Sequence, residues 1–389
     1  MSEIAIALAG GGPLGAIYEI GACAALAESV DGLDFSRVDT FVGVSSGAIV
    51  SSILANGISP HRLARILISD DAAIAFEPST LLRPALAEYA RRAAMLPGLL
   101  ADTLAEQLGA PSQRGVFESL ARLTRAIPTG LFDGAEVDRI LGELFSREGM
   151  SNDFRTLKRK LFVVATDLDA GRAVAFGSPG FEHVPISRAV QASSALPGLF
   201  PPVEIDGRSY VDGALIKTLH ASVALREGAR LVLCVNPLVP YNAPVAGADE
   251  EHLETRGLPA VLSQTFRAII HSRMHTGLAR YRHEYPDADV VLFEPARDNA
   301  QVFFANVFSY RDRRRLCEHA YQHTRTDLYR RRHTLAPLFE RHGLRLNLAA
   351  ITDPTRTLLF PRPDSLKATL GKLDGTLARL SRLLDPVAR

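Results

Sequence analysis

Short, largely apolar runs punctuate the chain at Ile4 to Leu8, Thr40 to Val44, Leu161 to Thr166 and Val290 to Pro295. Runs of this length, bounded by turn residues, predict buried strands. The stretches behind the first two read as helices; the second of these runs from Ser46 to Asn56 and stops at Gly57. This order predicts an α/β sheet whose turns lie at the carboxyl ends of strands, where such folds place their chemistry. A long helical region separates the second and third strands. Its most apolar part runs from Leu81 and Leu82 through Leu86, Leu96, Leu99, Leu100 and Leu104 to Leu108, interrupted by Pro84 and Pro97. It reads either as amphipathic helices on the sheet or as an apolar cap over a cleft. An exposed loop from Tyr241 to Gly257 precedes an amphipathic helix from Leu258 to about Arg282. Near the end, Leu366, Leu370, Leu373, Leu377, Leu380 and Leu384 follow the a/d spacing of a coiled coil. That seam suits packing on its own domain, a lipid interface or, preferably, pairing into a homo-oligomer.

Two of the predicted strands run into glycine-rich turns. Gly43-Val44-Ser45-Ser46-Gly47 is a G-x-S-x-G sequence. There the serine occupies the tip of a tight strand-to-helix turn, and Gly43 and Gly47 remove the Cβ atoms that would collide. Ser45 is therefore the candidate nucleophile, near the positive end of a helix dipole. Gly10-Gly11-Gly12-Pro13-Leu14-Gly15 has two readings. Its G-x-G-x-x-G spacing is that of a dinucleotide-binding turn, a non-hydrolase alternative. That use expects an acid at the end of the second strand, yet Asp39 precedes the strand and the serine turn ends it. The favoured reading is that successive backbone N–H groups point at an anion formed during reaction.

Three further motifs follow in order: Ala165-Thr166-Asp167-Leu168-Asp169 with Gly171-Arg172, Ala192-Ser193-Ser194-Ala195-Leu196-Pro197 running into Phe200-Pro201-Pro202, and Asp212-Gly213-Ala214. With the two glycine turns they make the chain resemble the patatin-like phospholipases over roughly residues 4 to 240. The resemblance implies a three-layer α/β/α fold with a helical cap and extra C-terminal helices. It also implies a lipid acyl hydrolase that cleaves carboxylic esters through a Ser/Asp dyad, here Ser45 and Asp212. The aspartate would act as general base on the serine and then as general acid for the leaving alcohol. Gly10, Gly11 and Gly12 would form the oxyanion loop, with no metal and no organic cofactor. One departure stands at Leu14, where the family often carries Arg or Lys. Two other readings share the nucleophile. One is an α/β-hydrolase triad that adds His220 or His271, and the other is acyl transfer to an acceptor other than water.

Composition agrees with an enzyme built around a large core, since 47% of the 389 residues are hydrophobic. Lys and Arg number 44 against 43 Asp and Glu, so no global field favours nucleic acid. Cys23, Cys234 and Cys317 are widely spaced, which suggests reduced thiols in a cytoplasmic setting without metal spacing. Met1-Ser2-Glu3 passes straight into the first strand without a signal-peptide pattern. The expected organisation is a catalytic domain over 1–300, with its cap at about 60–150, and a helical extension over 301–389. Arg311 to His333 carries eight Arg against three acids. Either this segment or the apolar cap is expected to give peripheral contact with a membrane, unless the charges belong to a solvated helix face with internal pairs such as Asp327 with Arg331.

Overall fold

The computed structural model describes residues 3–68, 83–109, 124–242, 255, 257–297 and 310–359. The chain opens with β1 (Ile4–Leu8), α1 (Gly12–Ser29), β2 (Val30–Asp31), β3 (Thr40–Val44), α2 (Ser46–Ala55) and α3 (Pro60–Ile68). In the cap region stand α4 (Leu86–Gly109) and α5 (Ala135–Phe145). The chain returns to the sheet through β4 (Lys160–Asp167), β5 (Arg172–Phe176), α6 (Ile186–Ser193), β6 (Val203–Ile205) and β7 (Arg208–Asp212). It continues through α7 (Ala221–Arg226), β8 (Leu231–Val235), α8 (Leu258–Glu284) and β9 (Asp289–Phe293). The last described elements are α9 (Tyr310–Arg330), α10 (Arg332–Arg341), β10 (Arg345–Leu346) and α11 (Leu348–Thr352).

The main sheet pairs in the order β6-β7-β4-β3-β1-β8-β9, with β5 on β4 as well. Strand alternation divides its two faces. Ile6 and Leu8 of β1 and Phe41 of β3 join one core with α1, α2, α6 and α9. Ala5, Ala7 and Val42 join the other, under α7 and α8 through Leu225, Met274 and Tyr281. The arrangement is the expected three-layer α/β/α sandwich. The apolar runs became strands within two residues of the predicted bounds, the last ending at Phe293 before Glu294 and Pro295, and the predicted amphipathic helix is α8.

Helix α1 is apolar nearly all round, with residues from Ile17 to Leu26 buried, so it needs cover on both faces. The sheet covers one and α9 the other. Close approach is enforced at Gly21, where an added Cβ would lie 2.3 Å from the Cys317 carbonyl oxygen. The arginine-rich segment is therefore largely an inward-facing helix, with Leu316, Cys317, Ala320, Tyr321 and Leu328 in the same core as α1. Arg325 is buried and donates to the Ala350 carbonyl at 2.7 Å. The predicted internal pair is present, as Arg331 Nε donates to Asp327 Oδ1 at 3.0 Å. No described helix is long and apolar enough to cross a membrane. The heptad leucines from Leu366 to Leu384 lie outside the described residues, as do Leu81 and Leu82.

Candidate active site

Strand β4 sets the geometry. Along one edge it pairs in parallel with β3, Val164 opposite Val44. Its opposite edge is occupied by β5, which pairs with Val163 through Asp167. From Ala165 onward the edge vacated by β3 is taken by antiparallel β7, with Ala165 opposite Asp212. Two strands thus run toward each other along one edge, and Ser45 follows the end of one where Asp212 ends the other. Gly213 is needed at this junction because a Cβ there would sit 2.2 Å from the Val164 carbonyl oxygen.

Ser45 has φ 53° and ψ −122°, a strained conformation for a residue other than glycine. Its surroundings hold it there. The Ser45 N–H donates to Ser193 Oγ at 2.8 Å, and Ser193 Oγ donates to the Val164 carbonyl at 2.6 Å. Gly47 lets the turn close on β1, since a Cβ would lie 2.5 Å from the Leu8 and Ala9 carbonyl oxygens. The Asp212 carboxyl is buried within interacting reach of the Ser45 side chain, and its Oδ1 accepts the Ala214 N–H at 2.8 Å. Burial pushes that carboxyl up to about 6, against the opposing pull of the Ser45 hydroxyl and the Ala214 N–H.

The other glycine turn lies alongside. An added Cβ on Gly10 would meet Ser45 Cβ at 3.1 Å, but the Gly10 N–H is donated to the Thr218 carbonyl at 3.3 Å. Gly10 therefore lines the turn without offering a free donor. The Gly11 and Gly12 N–H groups, at the start of α1, have no acceptor among the described residues. Gly12 sits at φ +61°, and Gly11 is pressed against Pro237, whose Cγ would be 2.6 Å from an added Cβ.

A family model described as patatin-like phospholipase matches residues 6–225, more than half of the chain, including both glycine turns, Ser45, Ser193 and Asp212. The chain belongs to the patatin-like phospholipase family. An uncharacterized NTE family protein of Mycobacterium bovis is 37% identical over 73 residues, 19% of either chain. An uncharacterized protein of Acanthamoeba polyphaga mimivirus is 25% identical over 221 residues, 57% of this chain and 60% of that one. The chain thus matches only about a fifth of the length of the mycobacterial relative and three fifths of the viral one. Among solved structures, VipD from Legionella pneumophila is 18% identical, with 83% of this chain and 66% of that chain covered and a TM-score of 0.37. The type III effector ExoU of Pseudomonas aeruginosa is 16% identical, with 85% and 53% covered and a TM-score of 0.36.

In this patatin-like chain neither candidate histidine is among the hydrogen-bond partners of Ser45 or Asp212. His220 is buried at the start of α7, within hydrogen-bonding reach of the Gly213 and Lys217 carbonyls. Burial, with the Lys217 charge, holds its imidazole down at about 3, so it stays neutral and supports the turn after Asp212. His271 bonds instead to His275 and Arg297. Two residues with structural roles here escaped the sequence reading. Ser193 was visible only as part of a small-residue run, and Pro237 had no motif around it.

The helical segment that precedes β4 is tied to the segment beside the site. Leu131 and Phe132 donate backbone N–H groups to the Gly198 and Leu199 carbonyls, and Ala85 donates to the Leu131 carbonyl. Glu88 of α4 is buried, accepting from Arg92 at 2.8 Å and from Thr129 Oγ1 at 2.9 Å. Leu86, Met95, Leu96 and Leu100 of α4 remain exposed, as do Leu196 and Leu199.

Proposed function

We propose that this chain is a serine lipid acyl hydrolase of the phospholipase A or carboxylesterase type, working through Ser45, Asp212 and an acyl-Ser45 intermediate. The observation that carries this reading is the strained Ser45 set beside a buried carboxyl raised to about 6 where β3 and β7 meet along β4. Such a carboxyl is ionised near neutral pH yet still basic enough to take the serine proton. As Oγ attacks the ester carbonyl, the proton passes to Asp212, and the Gly11 and Gly12 N–H groups receive the oxyanion. Protonated Asp212 then supplies the proton that the leaving alcohol needs. Water, activated by the same carboxylate, releases the acid.

An acyl chain must be lifted from an aggregate into the cleft, and the exposed leucines of α4 with Leu196 and Leu199 suit that task. The apolar cap is a better lipid contact than Arg311 to His333, because Arg325 and Arg331 of that segment bond within the protein. The test is labelling by a fluorophosphonate probe, which reacts with an activated serine. Labelling is expected in the wild type and absent in Ser45→Ala, with Asp212→Asn strongly slowed; label retained in Ser45→Ala overturns the reading. Product analysis with phospholipid and added alcohol separates hydrolysis from acyl transfer.

A further inference from the structure

Three side chains able to ligate a metal meet where α8 passes the end of β9. His271 and His275 stand four residues apart on α8 and so share one face. Glu294 directly follows β9. The two Nε2 atoms are 3.1 Å apart, and Glu294 Oε1 lies 3.5 Å from His271 Nε2 and 3.6 Å from His275 Nε2. A tetrahedral ion with bonds of ~2.0–2.1 Å keeps its ligand atoms roughly 3.3 Å apart. The three separations straddle that edge length. The side chains are 8%, 49% and 26% exposed, so the cluster is anchored at His271 and open to solvent at His275.

We propose that His271, His275 and Glu294 bind a divalent first-row transition metal of the zinc class, with solvent as the fourth ligand. Two imidazoles and one carboxylate form a donor set that suits Zn²⁺, Co²⁺ or Ni²⁺ and is poor for Mg²⁺ or Ca²⁺. The surroundings orient the ligands. Asn236 Nδ2 donates to Glu294 Oε2 at 3.4 Å, leaving Oε1 for the ion, and His323 Nε2 bonds the Glu294 carbonyl at 3.0 Å. A cation already faces the cluster: Arg297 Nη2 lies 2.8 Å from His271 Nδ1 and 3.4 Å from its Nε2. Metal on Nε2 requires the His271 proton on Nδ1, so the guanidinium withdraws when the ion binds. The ion would pin α8 to the ends of β8 and β9, where Pro237 follows Asn236 and closes on Gly11. Its role is structural, and the acyl chemistry at Ser45 does not pass through it.

The full chain, free of any affinity tag and stripped with chelator, is titrated with Co²⁺ alone and then with Zn²⁺. One equivalent of Co²⁺ is expected to bind with the visible absorption of a tetrahedral site, to be displaced by Zn²⁺, and to raise the melting temperature. His275→Ala and Glu294→Gln should each weaken binding by at least the ~100-fold that losing an outer partner can cost. Arg297→Ala should tighten it. The metal-free melting temperature of His275→Ala should match that of the metal-free wild type, which separates ligand loss from misfolding. Ser45→Ala should bind metal as the wild type does, so loss of the hydrolase reading leaves this one standing. Absence of stoichiometric Co²⁺ uptake, or wild-type affinity in both ligand variants, overturns the proposal.

Discussion

Ser45 and Asp212 are brought together by consecutive residues of one strand, Val164 pairing with Val44 and Ala165 with Asp212. The serine arrives on a strand parallel to β4 and the aspartate on one antiparallel to it. Their spacing is therefore set by backbone hydrogen bonds of a buried sheet, the stiffest ruler the fold offers.

The first expectation concerns the pH–rate profile. Asp212 must be ionised to accept the Ser45 proton, and its carboxyl sits at about 6. On the acid side of that value kcat/KM should fall about tenfold per pH unit, with a plateau above it. Asp212→Asn should lose at least about 10⁴-fold in kcat. A profile without an inflection near that value would count against Asp212 as the base.

Stability should respond with the opposite sense. The folded-state value of about 6 exceeds the ~3.9 of an unfolded aspartate, so the folded chain holds this proton more tightly. Stability therefore falls as pH rises between the two values, and about two units correspond to about 3 kcal/mol. Asp212→Asn keeps the shape and removes the charge. Its melting temperature should exceed that of the wild type above about pH 7 and match it below about pH 4.

Ser193 is expected to act through Ser45. Ser193→Ala removes the acceptor of the Ser45 N–H and the donor to the Val164 carbonyl, both buried, at a cost of ~1–3 kcal/mol. The elbow then relaxes, and kcat should fall while KM stays near its wild-type value. Steady-state kinetics on a soluble ester measure both. Loss of stability with kcat unchanged would assign Ser193 to packing alone.

The glycine turn offers a paired comparison. Gly11→Ala drives a Cβ against Pro237 and against Gly15 Cα, at 2.6 and 2.8 Å, and must displace the donor. A loss of ~10²–10³-fold in kcat is expected, as for removal of an oxyanion donor. Gly12→Ala meets nothing within 4 Å and carries only the ~1–2 kcal/mol of its left-handed conformation. An unchanged kcat in Gly11→Ala would mean that its N–H is not aimed at the substrate.

Much of the site was legible because its constraints are local. A serine between two glycines at the end of an apolar run must turn sharply, and no distant residue alters that. Asp212 was different. Arg208–Asp212 carries no strong strand pattern, and its pairing with Ala165 reaches across β5, α6 and β6, a separation that periodicity cannot register. Its role came into view only through the ordered motifs of the family. His220 was legible as a candidate base, but only the fold turns its ring toward the Gly213 carbonyl. The basic segment hid its nature through composition: a narrow stripe of Leu316, Cys317, Ala320 and Leu328 decides where α9 packs, while its arginines dominate any count of charge. The pair His271 and His275 shows helical spacing, yet Glu294 reaches them from another element.

The cap leaves and rejoins the sheet at one spot. Asn56 Oδ1, just beyond α2, accepts the Ser151 N–H at 2.7 Å, and Arg159 Nη1 reaches the Ala55 carbonyl at 3.3 Å. The intervening segment is thus a loop whose two ends are stapled together beneath it. Closing the chain across that short gap costs little entropy, so insertions at the exposed outer turns of the segment should leave the register of β3 on β4 untouched, while its core residues such as Leu63, Leu141 and Phe145 must stay.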